Sequence, residues 1–362
     1  MKQCDIIIAK LLNTKDTEEK NMELYSILSD EKLIQKRDEW FAKLKGHYDG
    51  KYNEKRAFVI YGTLSRGISD PYMEPEKWVD ECLEDIAKNK ATAILNDNRF
   101  VPVCVEYGIY GVHYIDKILG ANVYFKDGQW YNDYLDTPIG ELEEPDLDTN
   151  ETFQLSLRAA KRFAEVGGSF PLFGLPTIAS ALNIAVNLYG QEILMEMLAD
   201  PDNARHDLET INRTLVKIHK IFNEVIPKEQ LQPVISWERT QPPAYGQICG
   251  CTTQLVSGSL YEEMILDLDE DVLNVYENGG MIHLCGNHAQ HIENFRNMKS
   301  LKSVQLHDRA AEDLELYFKG LREDQLIYLV PCKGMTIEKA IAITGGKRLV
   351  VTYPAESEIK LS

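Results

Sequence analysis

The chain has 362 residues, of which 44% are hydrophobic, so it is long enough for one large domain or two ordinary ones with a normal globular core. Its 57 acidic and 39 basic residues give a formal net charge of −18, and such a surface repels a nucleic-acid backbone, which argues against a DNA or RNA partner. No stretch approaches the ~18 apolar residues of a membrane span, and the apolar run at residues 6–9 is too short for a signal sequence, which argues against a membrane or secreted protein.

Residues 1–50 are predicted to form an N-terminal helical cap. Their apolar positions recur with a helical period in two patches. These positions are Leu24, Ile27 and Leu28 in the first patch, and Leu33, Trp40, Phe41 and Leu44 in the second. The segment Ser29–Lys32 is typical of a helix start. We therefore expect two or three amphipathic helices here, followed by a main domain over residues 51–362.

Eight short segments of the main domain predict buried β-strands, because most are apolar and several end at glycine. They are residues 57–62, 101–108, 168–174, 247–251, 280–286, 304–308, 326–332 and 348–353. Apolar strands without in–out alternation are buried on both faces, which favours a parallel sheet. Eight strands that alternate with helix-length segments favour an α/β fold of the (β/α)8 TIM-barrel type over an open doubly wound sheet. Residues 120–150 interrupt the alternation and are expected to form a hairpin-like insertion.

The seven cysteines are an odd number without a dense spacing pattern, which favours reduced thiols in a cytoplasmic protein over a secreted disulfide scaffold. Four of them fall at predicted strand ends in the second half of the barrel: Cys249, Cys251, Cys285 and Cys332. Reactive groups of parallel barrels gather at the carboxyl ends of the strands, so these thiols are candidates for a site. Other candidates at strand ends are Tyr61, Arg66, Glu106, Tyr107, His307 and Asp308. By themselves, Cys249 and Cys251 are typical of core thiols.

His283 and Cys285 form the strongest metal-binding pattern. They alternate with Ile282 and Leu284 in a predicted strand, so both side chains point to the same side of the sheet. An imidazole and a thiolate at a strand end are half of a zinc site, although a buried histidine beside a small core thiol gives the same pattern. Zinc with thiolate ligands and an open position can bind and deprotonate a substrate thiol, and a sulfur-rich site favours this chemistry over hydrolysis.

The remaining polar candidates each have two interpretations. Arg66 is either a clamp for a substrate carboxylate or an exposed loop charge. His307 and Asp308 are either an acid–base pair or hydrogen-bonding partners of the metal ligands. His288 and His291, just after the zinc pair, are expected to be ordinary polar positions on a helix.

Three stretches resemble the uroporphyrinogen decarboxylase superfamily, and the similarity extends over about residues 55–355. The first comprises Phe173–Thr177, Leu188–Glu192 and Met197–Pro201, the second Leu255–Ser257 and Leu260–Met264, and the third Gly279–Asn287. The third stretch contains His-Leu-Cys-Gly and resembles the His-x-Cys-Gly motif of the corrinoid-linked methyltransferase branch. In that branch the histidine and cysteine bind zinc, zinc activates an acceptor thiol, and the methyl group comes from a methylated corrinoid on a partner protein.

The resemblance implies a TIM barrel and a zinc-dependent methyltransferase. Such an enzyme moves a methyl group between a corrinoid, such as methylcobalamin on a corrinoid protein, and a thiol or other small acceptor. His283 and Cys285 are then expected to bind zinc. The further cysteine that this branch has after the last strand is replaced here by Tyr-Pro. Cys332 is therefore the expected third ligand, with Cys251 and Cys249 as lower-ranked choices.

The chain also departs from true uroporphyrinogen decarboxylases. Only Arg66 follows the first strand, where those enzymes have several arginines, and their characteristic aspartate has no counterpart, so porphyrinogen decarboxylation is not expected. In the methyltransferase hypothesis, the residues that line the pocket and transfer protons are Tyr61, Glu106, Tyr107 and His307, and Arg66 binds the substrate.

Two alternatives stay open. One is a metal-free decarboxylase or lyase of the same superfamily that acts on a small carboxylate through Arg66 and His307-Asp308, and the other is a non-catalytic member of a corrinoid system.

Overall fold

The computed structural model describes residues 22–52, 55–233 and 237–354, and of Leu64, Trp237 and Pro354 it describes the backbone only. Residues 1–21 of the predicted cap and residues 355–362 of the predicted main domain lie outside the described residues. Within the described ranges, no helix is both long enough and apolar enough to cross a membrane.

A sheet of nine parallel strands curves into a nearly closed barrel, which confirms the predicted α/β fold of the (β/α)8 TIM-barrel type. In chain order the strands are β1 (Phe58–Ser65), β2 (Val103–Glu106), β3 (Val123–Lys126), β4 (Gln129–Asn132), β5 (Leu172–Gly174), β6 (Leu231–Gln232), β7 (Gly246–Cys249), β8 (Gly280–Leu284), β9 (Leu301–Leu306), β10 (Leu326–Leu329) and β11 (Leu349–Pro354). The sheet order is β6-β5-β2-β1-β11-β10-β9-β8-β7, so the last strand of the chain pairs with the first. The ninth barrel strand is the two-residue β6, which was not among the eight strands predicted from the sequence.

Side chains, rather than a backbone ladder, join β6 to β7. The side-chain nitrogen Nε2 of Gln232 donates to the backbone carbonyl oxygen of Gln241 at 3.0 Å. The backbone N–H of Gln241 donates back to Gln232 Oε1 at 3.1 Å. Gln241 Nε2 donates in turn to the carbonyl oxygen of Gly246 at 2.8 Å. Buried amides require such partners. These two glutamines therefore close the barrel and hold the preceding turn, Trp237–Arg239, beside its interior.

The helices cover the outside of the sheet and one of its ends. They are α1 (residues 22–28), α2 (Glu31–Tyr48), α3 (Pro75–Asp85), α4 (Ala91–Asn96), α5 (Tyr114–Ile118), α6 (Glu151–Val166), α7 (Ala181–Tyr189), α8 (Glu192–Ala199), α9 (Pro201–Val225), α10 (Gly258–Met264), α11 (Leu266–Leu273), α12 (Ile292–Asn297), α13 (Arg309–Glu312), α14 (Leu314–Gly320) and α15 (Ile337–Thr344). Helix α2 begins at the predicted place, because the Asp30 carboxylate accepts the N–H groups of Lys32 and Leu33.

Helix α2 packs against the amino ends of the barrel strands. Its Phe41 and Leu44 join a separate apolar cluster with strand residues that include Met281 and Tyr328. Tyr48, the last residue of α2, extends a hydroxyl into the barrel, where it donates to Ser303 Oγ and lies 3.2 Å from the Tyr328 hydroxyl. Because this helix fills the bottom of the barrel, the opposite end, at the carboxyl ends of the strands, is the end that a ligand can enter.

The insertion predicted near residues 120–150 contains a β-hairpin outside the barrel sheet. Strands β3 and β4 pair antiparallel across Asp127 and Gly128, which have φ angles of 50° and 83°. Positive φ at both central residues is the geometry of a two-residue hairpin turn, and Asp-Gly tolerates it. Trp130 of the hairpin packs on Tyr72 and Tyr110, with ring centroids 5.9 and 5.1 Å away. The hairpin is thereby held against the loops that follow β1 and β2.

Candidate metal centre

Cys251, His283 and Cys285 meet at the carboxyl ends of two neighbouring strands. Their potential ligand atoms, the two sulfurs and a ring nitrogen, all lie within 4.8 Å of one another. His283 lies in β8, Cys285 directly follows β8, and Cys251 opens the 3₁₀ turn Cys251–Leu255 that follows β7. Strands β7 and β8 pair in register with Cys249 opposite His283. Because side chains alternate along a strand, the residues two positions further on also face the barrel interior.

Two glycines let the chain pass close enough to form this group. Gly250 lies against β8 and donates its N–H to the carbonyl oxygen of His283 at 2.9 Å. A Cβ atom at Gly250 would lie 2.5 Å from a methyl carbon of Ile282, and one at Gly286 would lie 2.0 Å from the side-chain oxygen of Gln254. A larger residue at Gly250 would therefore force Ile282 to shift, and one at Gly286 would displace the flexible Gln254 side chain.

The hydrogen bonds around His283 determine which of its nitrogens carries the proton. Gln305 is fully buried, and its Nε2 donates to the carbonyl oxygen of Glu238 at 3.1 Å. A carbonyl oxygen can only accept, so Gln305 must present its own oxygen to His283 Nδ1, which lies 2.6 Å away. Nδ1 therefore donates its proton to Gln305, and Nε2 keeps a free lone pair. A second hydrogen bond of this kind is what orients histidines that bind metals.

The electrostatics of the three residues also suit a metal ion. Burial lowers the pKa of His283 well below its ordinary value, and the Arg239 guanidinium lowers it further, so the ring is neutral. The sulfurs of Cys251 and Cys285 lie close together, and their interaction lowers the pKa of Cys285 to about 7 and raises the pKa of Cys251. The pair therefore holds one readily formed thiolate near neutral pH. Two soft thiolates and one imidazole are a donor set that zinc prefers, and three protein ligands leave a fourth position open.

A second layer of buried groups fixes the two cysteine-bearing turns to each other. The Thr253 hydroxyl donates to the carbonyl oxygen of Gly250 at 2.8 Å, so His288 Nδ1, at 2.9 Å, must donate to Thr253 Oγ1. His288 Nε2 then accepts the N–H of Gly286 at 3.1 Å. Burial lowers the pKa of His288 to about 4, which keeps the ring in this neutral form. His288 is fully buried and holds the site together, whereas the sequence indicated an ordinary polar position.

Two charged residues that sequence reasoning missed lie beside the group. Arg239 Nη1 lies 3.3 Å from the sulfur of Cys249, and Glu238 Oε2 lies 3.8 Å from His307 Nε2. Both belong to the turn Trp237–Arg239, which the glutamines between β6 and β7 hold at the barrel interior. A charged dipeptide in a loop is usually exposed, so no sequence pattern predicts that these side chains point inward.

The structure brings two of the four predicted catalytic residues to the barrel interior. Glu106 ends β2, and burial raises its pKa to about 7 although Arg66 and Arg239 act against this rise. His307 follows β9, with its ring centroid 6.0 Å from that of His283 and its Nδ1 2.9 Å from Asp308 Oδ2. Asp308 has a φ angle of 48°, which is strained for a non-glycine residue and common at functional sites.

Other predicted residues lie away from the three ligands. Tyr107 faces the outer helices, where its hydroxyl donates to the carbonyl oxygen of Pro71, and the Tyr61 ring lies under Arg99 at 4.7 Å. Arg66 is exposed. Cys332 follows β10, which β9 separates from β8, and the structure does not place it in the group. Cys249 lies next to the group, with its sulfur facing Arg239.

The fold and this group define an α/β barrel with a candidate metal centre at the carboxyl ends of its strands. No family model matches the chain, and no curated protein matches it. Among solved structures, a methyltransferase from Methanosarcina mazei is similar in fold, with a TM-score of 0.58 over 86% of this chain and 91% of that one. The two sequences are 10% identical, so the likeness establishes the shared fold alone.

Proposed function

We propose that the protein is a methyltransferase with an active-site Zn²⁺ ion held by Cys251, His283 and Cys285. The observation that carries the proposal is the meeting of these three ligands with His283 Nε2 left free. Support comes from the barrel that the chain shares with a methyltransferase, and from the resemblance of Gly279–Asn287 to the corrinoid-linked branch of the uroporphyrinogen decarboxylase superfamily. In this proposal Cys251 replaces Cys332 as the third ligand.

The proposed reaction joins the methyl group of a corrinoid to an acceptor thiol. When bound, Zn²⁺ would lower the pKa of that thiol and hold it as a thiolate. The acceptor sulfur then forms a bond to the methyl carbon while the carbon–cobalt bond breaks, and both electrons of that bond stay on cobalt. We assign the corrinoid to a partner protein that docks at the carboxyl end of the barrel, because α2 fills the other end.

The protein's own residues orient the ligands and take up the proton. Gln305 holds His283 in the tautomer that keeps Nε2 free. Arg239 offsets the negative charge that two thiolates place in the barrel, since its guanidinium acts against the rise in the pKa of Cys251 and adds to the fall in the pKa of Cys285. His307 holds the released thiol proton at Nε2, where the carboxylate of Glu238 lies 3.8 Å away, while Asp308 fixes Nδ1. These are the roles of a general base and of its supporting carboxylates.

Methyl transfer from free methylcobalamin to small thiols tests the proposal. With zinc-loaded protein we expect a thiol-dependent loss of the methylcobalamin absorption, together with the methylated thiol in equimolar amount. Cys251→Ser and Cys285→Ser should each lower zinc content and activity about a hundredfold or more, because loss of a ligand removes the metal. Cys332→Ser is the matched control, and it should keep both.

Two results would contradict the proposal. The first is a zinc content near zero that is the same in wild type and in Cys285→Ser. The second is activity that survives zinc removal by a chelator. A metal-free protein that releases CO₂ from small carboxylates would instead support the decarboxylase alternative.

A further inference from the structure

Four buried polar atoms on the barrel interior have no hydrogen-bond partner among the described residues. They are Glu106 Oε1, Arg239 Nε, Gln247 Oε1 and Thr352 Oγ1. Gln247 and Thr352 are each only 1% exposed. A buried polar atom without a partner destabilises the fold, and the turn that carries Arg239 lies against β1 and β11, so these atoms indicate that a polar ligand belongs at the barrel interior.

Arg239 indicates that one part of this ligand is an anion. Its guanidinium is partly buried and makes no ion pair with any carboxylate in the part of the chain that the structure describes. Its hydrogen-bond partner there is the sulfur of Cys249, at 3.3 Å. Guanidinium groups bind carboxylates and similar anions with two parallel hydrogen bonds, and Arg239 has this capacity unused.

Glu106 and Gln247 indicate that another part of the ligand is a hydrogen-bond donor. Gln247 Nε2 lies 3.6 Å from the sulfur of Cys249, which leaves its oxygen as an unused acceptor. Arg66 and Arg239 both lie close enough to Glu106 to act against the rise of its pKa, yet neither guanidinium forms an ion pair with it among the described residues. A molecule that carries both charges would bridge the carboxyl and the guanidinium and would restore the charged form of Glu106.

We infer that the acceptor is a zwitterionic thiol, with its anionic group on Arg239, its ammonium group on Glu106 and its sulfur at the three metal ligands. This inference rests on the proposed function, which places the sulfur of the acceptor thiol at the metal. A thiol with only an anionic group would leave Glu106 without a partner, and a thiol with only an ammonium group would leave Arg239 without one. An amino acid that carries a thiol satisfies both residues at once.

Calorimetric titration of the zinc-loaded protein with five thiols tests the inference. The probes are L-cysteine and L-homocysteine, which carry both charges, 2-mercaptoethanesulfonate, which is anionic, cysteamine, which is cationic, and 2-mercaptoethanol, which is neutral. We expect at least one of the amino acids to bind about tenfold or more tighter than every other probe, since each charge-assisted contact contributes at this level. Equal affinities for the amino acids and for 2-mercaptoethanesulfonate would overturn the inference.

Two variants, each of which removes one charge, separate the two contacts. Arg239→Gln should weaken the amino acids and 2-mercaptoethanesulfonate about tenfold more than it weakens cysteamine, because its effect on the metal ligands is common to all of these thiols. Glu106→Gln should weaken the amino acids and cysteamine but leave 2-mercaptoethanesulfonate unchanged. This crossed pattern is expected only if the residues contact the two charges separately. A uniform loss across all probes in both variants would overturn the inference, because it would show a general defect of the site.

A thiol-free probe separates this inference from the proposed function. L-2-Aminobutyrate carries both charges but no sulfur, so its binding depends on Arg239 and Glu106 and not on the metal. If zinc is absent while 2-aminobutyrate binds and both variants weaken it, the zwitterion subsite stands and the methyltransferase proposal fails. If zinc binds and methyl transfer proceeds without any preference among the thiols, the proposed function stands and the subsite fails.

Discussion

At the scale of single residues, the candidate centre depends on which ring nitrogen of His283 carries the proton. Gln305 is held by the backbone at Glu238 and accepts from His283 Nδ1, so its removal should let the ring rotate or change tautomer. We predict that Gln305→Leu lowers zinc affinity about 10–100-fold, the range that loss of such an outer partner has in other metal sites. Competition with a chromophoric chelator measures this affinity.

Gln325→Leu is the control for Gln305→Leu. Gln325 is also fully buried, and its Nε2 donates to the carbonyl oxygens of Phe295 and Leu301, away from the metal ligands. This variant should have a lower free energy of unfolding than wild type but the same zinc affinity. Equal losses of zinc affinity in the two variants would show that the effect of Gln305 is only structural.

The carboxyl of Glu106 should make stability depend on pH. Burial raises its pKa from an ordinary value of 4.5 to about 7 in the folded protein. Between these two values the folded state binds more protons than the unfolded state, so the free energy of unfolding falls as pH rises. The loss is roughly 3 kcal/mol, since each pKa unit corresponds to about 1.4 kcal/mol.

Glu106→Gln should remove that part of the pH dependence. Urea unfolding at pH 5 and pH 8 should show that the variant gains stability relative to wild type at the higher pH. Glu262→Gln, an exposed position on α10, should leave the wild-type pH dependence unchanged. If wild type and Glu106→Gln have the same slope with pH, the carboxyl is not protonated in the folded protein near neutrality.

Part of the site could be predicted from single residues. The two-residue spacing of His283 and Cys285 predicted two of the three candidate ligands, because alternation along a strand is local geometry. Finding the third candidate ligand required knowing which strands are neighbours. Cys332 follows β10, two strands from β8, whereas Cys251 follows β7, which pairs with β8 directly. The inward position of Arg239 depends on contacts of Gln232 and Gln241 that no local pattern encodes.

The two turns that follow β7 and β8 act as one unit at the scale of elements. Thr253 in the first turn and His288 beyond the second are joined by a hydrogen bond of 2.9 Å. We predict that Thr253→Val, which removes the hydroxyl but keeps the shape, lowers zinc affinity severalfold and destabilises the fold by about 1–3 kcal/mol. Isothermal titration with zinc and thermal unfolding measure the two effects.

A matched control for this change lies in α9. Thr214 is fully buried, and its hydroxyl donates to the carbonyl oxygen of Thr210 at 3.1 Å within the helix. Thr214→Val should change stability but not zinc affinity. A Thr253→Val variant with unchanged zinc affinity would show that the two turns hold their positions without this hydrogen bond.

Most of the elements could be predicted, and the exceptions have physical reasons. The apolar strands and the Asp30 helix start follow from local sequence, and the structure confirms both. Strand β6 was missed because two residues are too short to show a period. The side chains of Tyr61 and Tyr107 face outward because they alternate with the inward positions Ile60 and Glu106. Knowing where a strand ends does not show which of its residues point into the barrel.

At the scale of the whole molecule, α2 completes the barrel core. Phe41 is 4% exposed and packs edge-on against Phe100 at 5.3 Å, in the cluster at the amino ends of the strands. We predict that Phe41→Ala costs about 3–5 kcal/mol of unfolding free energy, because it leaves a cavity in that cluster. Denaturant unfolding measures this cost, and Phe125→Ala, at a position that is 60% exposed in the hairpin, should cost much less. A small effect of Phe41→Ala would mean that the predicted cap is independent of the barrel.

The proposed function depends above all on which atoms bind the metal. A crystal structure of protein purified without added metal, with diffraction data collected on both sides of the zinc absorption edge, measures it directly. We predict one anomalous peak at the carboxyl ends of β7 and β8, bonded to the sulfurs of Cys251 and Cys285 and to Nε2 of His283. An anomalous peak bonded to Cys332 in place of Cys251, or no peak beside Cys285, would contradict it.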